Sequence, residues 1–349
     1  MKAVVIHQFG GFDCVEVEQR PEPKPLRDEV VLKVKSCGLN HLDIWVTKGR
    51  GGAKLPMPHI LGTDAAGLVI AAGADVTNVR PGDEVILNPG LSCGYCEYCR
   101  RGETSECKSF GIVGMSRPGT FAEQVAVPAR NVYPKPPYMS FDEAGAFVLS
   151  YLTAWRMLMT KANLKSGQTV LIHGVGGGVA LCSLQLAKLA GAEVIVSSSS
   201  DAKLARASQI GADYIINYKT SDVAESVREI TSSRGVDIVI DTVGAAAWPI
   251  DQAAVRKGGT IVLCGITTGA KAETNLQMLY WNQQTILGST MGSDEDLRQM
   301  LRAVSTAKLK PIIDSVMPLS DVREAMSRME KAEQFGKIVL KVSDGIKKD

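Results

Sequence analysis

The sequence predicts an α/β protein of two domains, a doubly wound parallel sheet joined to a compact β-barrel-like unit. Three observations predict it. At 349 residues the chain exceeds what one ordinary core holds, and the usual domain size divides it in two. Up to about residue 130 it reads as short β-rich segments punctuated by Gly, Pro and Asp. From Gln168 onward, apolar β-branched runs alternate with helical ones, the pattern of a parallel sheet covered on both faces.

In order, the early strands are EVVLKV, AGLVIAAG and GDEVIL. The alternating region runs TVLIHG, helical ALCSLQLAKLAG, EVIVSS, helical DAKLARASQIG and YIINY, then VDIVIDTVG, helical AAWPIDQAAVRKG, TIVLCG and QTILGST. From about Asp294 two amphipathic helices are expected around PIIDSVMPLS, followed by a closing strand, KIVLKV, whose early-type β texture places it back on the first domain. The expected division is 1–150 for the first unit, 151–291 for the parallel sheet and 292–349 for the return to the first unit. The sequence contains no internal repeats and no low-complexity segments.

Hydrophobic residues at 45% and charged residues at 22% describe an ordinary folded chain rather than a disordered one. A net charge of +2, with no basic run beyond Lys347-Lys348, leaves no electrostatic footprint for nucleic acid. The opening MKAVVIHQFGG lacks the apolar centre of a signal peptide, and no run approaches the roughly 20 apolar residues of a membrane span, so a cytoplasmic location is expected. Four of the eight cysteines fall between Cys93 and Cys107, which suits a metal site in a reducing compartment better than a disulfide framework.

Thr169–Gly174 is a strand that runs into Gly176, Gly177 and Gly178, after which Val179 and an apolar helix follow. A glycine turn between strand and helix lets backbone N–H groups and the helix N-terminus approach a pyrophosphate. The fingerprint departs from its usual form at both ends, with Val175 at its first glycine position and Ala180 at its last; alanine serves at the latter, where helix packs on strand. The nucleotide is chosen at the end of the second strand, where an NAD site carries Asp or Glu. Here stand Ser197-Ser198-Ser199-Ser200, with Asp201 and Lys203 beyond. Hydroxyls and a lysine suit a 2′-phosphate, which favours NADPH, with NADH the alternative if Asp201 reaches the ribose. A merely polar serine turn with a solvated lysine competes with this reading.

Cys93, Cys96, Cys99 and Cys107 follow the spacing C-x2-C-x2-C-x7-C. Four thiolates complete a tetrahedral ion and leave no position open, so the expected site is one structural zinc; an iron–sulfur cluster is the rival. Cys14, Cys37, Cys182 and Cys264 are expected to be small core residues.

In their order and spacing, CGLNHLDIWVTKG, PHILGTDAAG, the cysteine segment, GTFAEQVAVP, LTAWRML, the glycine turn, GGTIVLCG and FGKIVL resemble the medium-chain dehydrogenase/reductase superfamily over nearly the whole chain. The resemblance implies a GroES-like catalytic domain built from both chain ends, a central Rossmann domain and hydride exchange with nicotinamide. In the zinc alcohol dehydrogenases of that superfamily the catalytic metal is held at places that look like Asn40, Thr63 and Leu149 here. Asn and Thr are poor zinc ligands and Leu is none. Cys37, His41, His59 and Asp64 are the residues from which a rebuilt metal site would have to come. The chain is most similar to the quinone oxidoreductase-like branch, which implies NADPH-driven reduction of quinones or activated double bonds, although that branch normally lacks the cysteine segment.

Without a Lewis acid, an enone or quinone is the easier acceptor, since conjugation spreads the developing charge and one or two hydrogen-bond donors suffice. The Asn40 amide is the first candidate donor, with Tyr151 and His41 as candidate acids. Asp43 is expected to orient its neighbours. The resemblance further implies Thr153 beside the nicotinamide, Gly265 offering backbone to it and Lys337 at the pyrophosphate; Tyr218, closing YIINY, completes the cofactor set with Ser198 and Lys203. An alcohol dehydrogenase with a rebuilt zinc site and a non-catalytic NADPH-binding redox sensor stand as competing functions. A small-molecule substrate and a homodimer or homotetramer are the expected partners.

Overall fold

The computed structural model describes residues 1–49 and 55–342, so the terminal Lys347-Lys348 pair lies outside the described residues. The chain forms two compact units, Met1–Leu149 with Val304–Asp349, and Ser150–Ala303.

The second unit is built on a six-stranded sheet in the order Tyr214–Asn217, Glu193–Ser198, Thr169–Ile172, Val236–Asp241, Val255–Leu263 and Thr285–Gly288. Every neighbouring pair in it is parallel. The two central strands, TVLI and VDIVID, are buried at every residue. Continuous burial explains why Val, Ile and Leu dominate both runs, and the two buried carboxylates in the second are satisfied, Asp237 by Arg234 and Arg256 and Asp241 by the N–H groups of Val243 and Gly244. Each Val, Ile or Leu enclosed this way contributes about 1.5–3 kcal/mol. The order reverses at Thr169–Ile172, the strand that leads into the glycine turn, and such a reversal is where open parallel sheets bind ligands. This is the predicted doubly wound sheet.

The first unit is antiparallel for the most part. Its backbone is the ten-residue strand Glu29–Gly38, which pairs antiparallel with Ala66–Ala72, Gln124–Pro128 and Lys337–Lys341. The closing strand KIVLK thus inserts into the first unit as expected, with Val339 opposite Gly38 and Leu340 opposite Cys37. That register carries Lys337, two residues before Val339, toward Asn40, two residues past the strand's end at Gly38. Two helices, Asp294–Ala307 and Val322–Glu330, flank PIIDSVMPLS as expected, and within it Ile313–Pro318 forms a strand, parallel to Lys337–Lys341, that the sequence reading did not name.

The expected boundary at 291/292 also moves, to 303/304. Helix Asp294–Ala307 is anchored in the second unit by a buried ion pair, Arg156 Nη1 to Asp296 Oδ2 at 2.6 Å, and by a hydrogen bond from the Thr160 hydroxyl to the same carboxylate. Amphipathic periodicity marks the helix but not the partner of its apolar face. Among the described residues no helix is long and apolar enough to cross a membrane.

Candidate functional site

The cysteine segment carries few regular elements, a two-stranded ribbon Gly90–Leu91 with Gly111–Ile112 and the single-turn helix Glu97–Arg100. Even so, its four Sγ atoms all lie within 4.8 Å of one another. The separations Cys93–Cys99 at 3.9 Å, Cys96–Cys99 at 3.6 Å and Cys96–Cys107 at 3.9 Å match the edges of about 3.8 Å of a tetrahedron with metal–sulfur distances of about 2.3 Å. Backbone N–H groups turn toward the sulfurs, Cys93 N to Cys107 Sγ at 3.2 Å, Cys96 N to Cys93 Sγ and Ser109 N to Cys107 Sγ at 3.3 Å each. N–H donors from Cys99 and Lys108 pull the Cys96 thiol down to about 6, whereas burial raises Cys99 to about 11. The segment therefore fits a four-thiolate zinc.

At the nucleotide turn, Gly177 is the N-cap of helix Gly178–Leu189, and no side chain caps it. The first N–H groups of that helix, from Gly178 and Val179 onward, are thereby left to an external anion. Gly176 adopts φ of +128°, which a side chain would resist. The arrangement fits a pyrophosphate. Ser198 is buried, and its Oγ accepts from Ser200 N at 3.3 Å, while Tyr218 N donates to Ser198 O at 3.1 Å, bringing the ends of two strands together. The Tyr218 side chain is about half exposed. Ser200 caps the next helix by accepting from Lys203 N, and Asp201 Oδ1 accepts from Asn217 Nδ2 at 2.7 Å. A Cβ on Gly265 would lie 2.3 Å from Thr242 O, so strand packing by itself demands glycine there. Thr153 is buried, with Met291 Sδ 4.0 Å from its hydroxyl.

Tyr151 is wholly buried and donates to Gln185 Oε1 at 2.6 Å. A hydroxyl so enclosed and so partnered does not fit the acid role expected for it.

The places read from the sequence as vacated metal positions converge on two buried carboxylates. Asn40 opens helix His41–Thr47; Asp43 reaches back to accept from Asn40 N at 2.8 Å and from the Thr63 hydroxyl at 2.7 Å. Asp64 accepts from Leu149 N at 2.9 Å and from Asn40 Nδ2 at 3.0 Å. The second N–H of the Asn40 amide goes to Gly38 O at 3.1 Å. Both are engaged, which leaves none for an external oxyanion and revises the donor role expected of Asn40. Its carbonyl oxygen accepts from Lys337 Nζ at 2.5 Å, and that ammonium lies 3.5 Å from Asp64 Oδ2. Lys337, 3% exposed, is thus gathered with Asn40 and Asp64.

Burial is the largest influence on both carboxyls. It pushes Asp43 up to about 7 and raises Asp64, against the opposing pull of Lys337. His41 is partly buried, and desolvation, then the Lys337 charge, hold its pKa below the ordinary value, so the ring is neutral at physiological pH. Of the residues available for a rebuilt metal site, Cys37, His59 and Asp64 have other partners. Cys37 Sγ donates to Thr120 O at 3.0 Å and is raised by burial, and His59 Nε2 lies 2.9 Å from Gly114 O. Sequence reasoning named each member of this cluster but did not assemble it. The spacing Asn40-x-x-Asp43 is a capping signal that local reading can find; the Lys337–Asn40 contact spans 297 residues and has no local signal.

Residues 26–137 match the model of the alcohol dehydrogenase GroES-like domain, and residues 178–306 match that of the zinc-binding dehydrogenases. An alcohol dehydrogenase of Geobacillus stearothermophilus is 32% identical over 345 residues, covering 98% of this chain and all of that protein. Among solved structures, an NAD-dependent alcohol dehydrogenase superposes with a TM-score of 0.95 at 42% identity, covering 98% of this chain and 100% of that one. A crotonyl-CoA carboxylase/reductase superposes with a TM-score of 0.92 at 26% identity, covering 99% of this chain and 89% of that one. With matches to both characteristic domains and to full-length relatives, the chain belongs to the medium-chain dehydrogenase/reductase superfamily of NAD(P)-dependent oxidoreductases.

Proposed function

We propose that the protein reduces an activated carbon–carbon double bond or a quinone at the expense of NADPH, without a catalytic metal. The observation that carries this reading is the buried Lys337 ammonium, held by Asn40 and Asp64 among the residues that stand in the metal-ligand positions. The bound cofactor supplies a hydride. An enone accepts that hydride at its β-carbon; the C=C pair shifts toward the carbonyl, the oxygen takes the negative charge, and a solvent proton at the α-carbon completes the two-electron reduction. Conjugation already disperses that charge, so a monovalent, fixed cation suffices where an isolated ketone would need a Lewis acid. Cys93, Cys96, Cys99 and Cys107 hold one structural zinc in this reading. The preference for NADPH is supported by Ser198 and Lys203 and by Asp201, the nearest carboxylate, which is engaged with Asn217.

The alternative is alcohol oxidation at a rebuilt metal site, favoured by the alcohol dehydrogenases among the similar proteins. Metal content measured beside activity separates the two. One zinc per chain with robust enone or quinone reduction is expected. A second tightly held zinc, with alcohol oxidation lost on its removal, would replace this proposal by the alternative.

A further inference from the structure

We propose that His173 and Asp251 make dinucleotide binding proton-linked: this buried pair beside the glycine turn takes up a proton from solvent as the anionic cofactor binds. The linkage belongs to binding within the second unit and holds whichever acceptor is reduced. The pair lies where three adjacent strands end. His173 follows Thr169–Ile172 and leads directly into Gly174. Its Nδ1 is 2.9 Å from Oγ of Ser197, on Glu193–Ser198, and Ser197 O accepts at 2.9 Å from Val175 N inside the glycine turn. Its Nε2 is 2.8 Å from Asp251 Oδ1. Asp241, the last residue of Val236–Asp241, faces Asp251 and accepts from Val243 N at 2.6 Å and Gly244 N at 3.0 Å. Ser197, His173 and Asp251 have the connectivity of a hydrolytic triad, but at exposures of 1%, 4% and 0% the hydroxyl is closed to a substrate.

Asp251 is the member whose proton is exchangeable. Asp241 has backbone donors, whereas neither Asp251 oxygen takes a backbone N–H, and the imidazole stands alone beside it. Burial, opposed by His173 and reinforced by Asp241, pushes Asp251 up to about 7. The other groups around the pair do not titrate with it. Cys264, near Asp241, is pushed up to about 12 by burial and keeps its proton. Helix Val223–Ile230, packed on Trp248–Ala254, turns Val223, Ala224 and Val227 inward and leaves Glu225, Arg228 and Glu229 exposed. On the neighbouring strand Val255–Leu263, Arg256 is held by Asp237 and Lys257 is exposed.

Losing the Asp251 proton adds a negative charge beside the turn that receives a pyrophosphate, in surroundings that screen it poorly. The loss also reverses the imidazole. With Asp251 protonated, its hydroxyl donates to Nε2 and Nδ1–H donates to Ser197; with Asp251 ionised, Nε2–H donates to the carboxylate and Nδ1 accepts from the Ser197 hydroxyl. The change thus reaches the residue before Ser198. Since the anion binds the protonated pair better, bound cofactor must raise the proton affinity by the same factor. Cofactor affinity is therefore greatest below about 7 and declines as pH rises through that value. His173 and Asp251 act as positioning residues.

The test uses the zinc-replete full-length protein and NADH, which lacks the 2′-phosphate and so brings no group that titrates near neutrality. Calorimetry at about pH 7.5 in phosphate and in Tris, buffers of different protonation enthalpy, reads the protons taken up on binding; the Kd is measured from about pH 6.5 to 8.5. For a tenfold coupling, the wild type should take up about half a proton per chain, and its Kd should rise about sixfold across that range. Asp251→Asn should reduce the uptake to less than about a tenth of a proton and hold the Kd constant within about twofold. At the lowest pH its Kd should stay within about threefold of the wild type, because the amide resembles the protonated acid. No uptake by the wild type would overturn the proposal. So would wild-type uptake persisting in Asp251→Asn, and an affinity loss equal at every pH would make the residue purely structural. Should Asp251→Asn fail to fold, His173→Gln carries the test. Without the imidazole's pull Asp251 stays protonated across the range, so the uptake should again vanish, and an uptake equal to the wild type would refute the linkage.

Discussion

Asp64→Ala is the perturbation that most directly probes the cluster. The Asp64 carboxylate is 1% exposed, accepts from Leu149 N and Asn40 Nδ2, and faces Lys337 Nζ at 3.5 Å. Removing it leaves a buried ammonium without its counter-ion, a change that costs about 3–5 kcal/mol. The two orphaned donors would each add about 1–3 kcal/mol if nothing replaced the lost acceptor. These effects share one site and are not additive, so a net loss of about 4 kcal/mol is the working figure. At about 2–4 °C per kcal/mol for domains of this size class, the melting temperature should fall by roughly 8–16 °C. Asp64→Asn keeps the volume and one acceptor oxygen and should lose about half as much. The assay is thermal unfolding followed by circular dichroism on protein with its zinc content verified. A fall of less than about 2 °C for Asp64→Ala would refute the claim that these groups form a tightly coupled buried pair.

Cys107→Ser should lower bound zinc well below one per chain and reduce thermal stability while leaving cofactor binding measurable, because the two sites lie in units with separate cores; full zinc retention would count against a four-thiolate site. Ser198→Asp should weaken NADPH by like-charge repulsion with the 2′-phosphate while sparing NADH, and an unaltered ratio of dissociation constants would remove Ser198 from cofactor choice. Asp251, buried beside His173 at 2.8 Å, is pushed up to about 7, chiefly by burial and against the pull of the histidine. The native protein therefore keeps a proton that the unfolded chain releases near the ordinary carboxylate value of about 4. Its stabilisation is complete below that value and is lost as pH rises through about 7. Asp251→Asn should make the slope of melting temperature against pH between about 4 and 7 less negative, and an identical slope in the two proteins would refute the assignment.

Much of this protein was legible before any coordinates. Runs such as Thr169–Ile172 and Val236–Asp241 are dominated by Val, Ile and Leu because parallel strands are covered on both faces, so composition and spacing disclose the sheet. Gly176–Gly178 between strand and helix, and four cysteines within one short segment, likewise bring their chemistry together along the chain. Local order was enough there because the participating residues are sequence neighbours. The closing strand could be matched to the first unit by its texture, but not to a partner strand or a register.

Tertiary structure alone decided the rest. Asp294–Ala307 announced an amphipathic helix, yet only the Arg156–Asp296 pair settled which core anchors it. Asn40 stands in the sequence as a candidate oxyanion donor, yet its amide N–H groups go to Gly38 and Asp64, and Tyr151 stands there as a candidate acid, yet its hydroxyl donates to Gln185 Oε1. Lys337 reaches Asn40 because two strands distant in the chain share an antiparallel register. A sequence shows which residues carry charge and hydrogen-bonding capacity; which of those groups spend it on one another is fixed by strand register and burial, and these arise only when the whole unit folds.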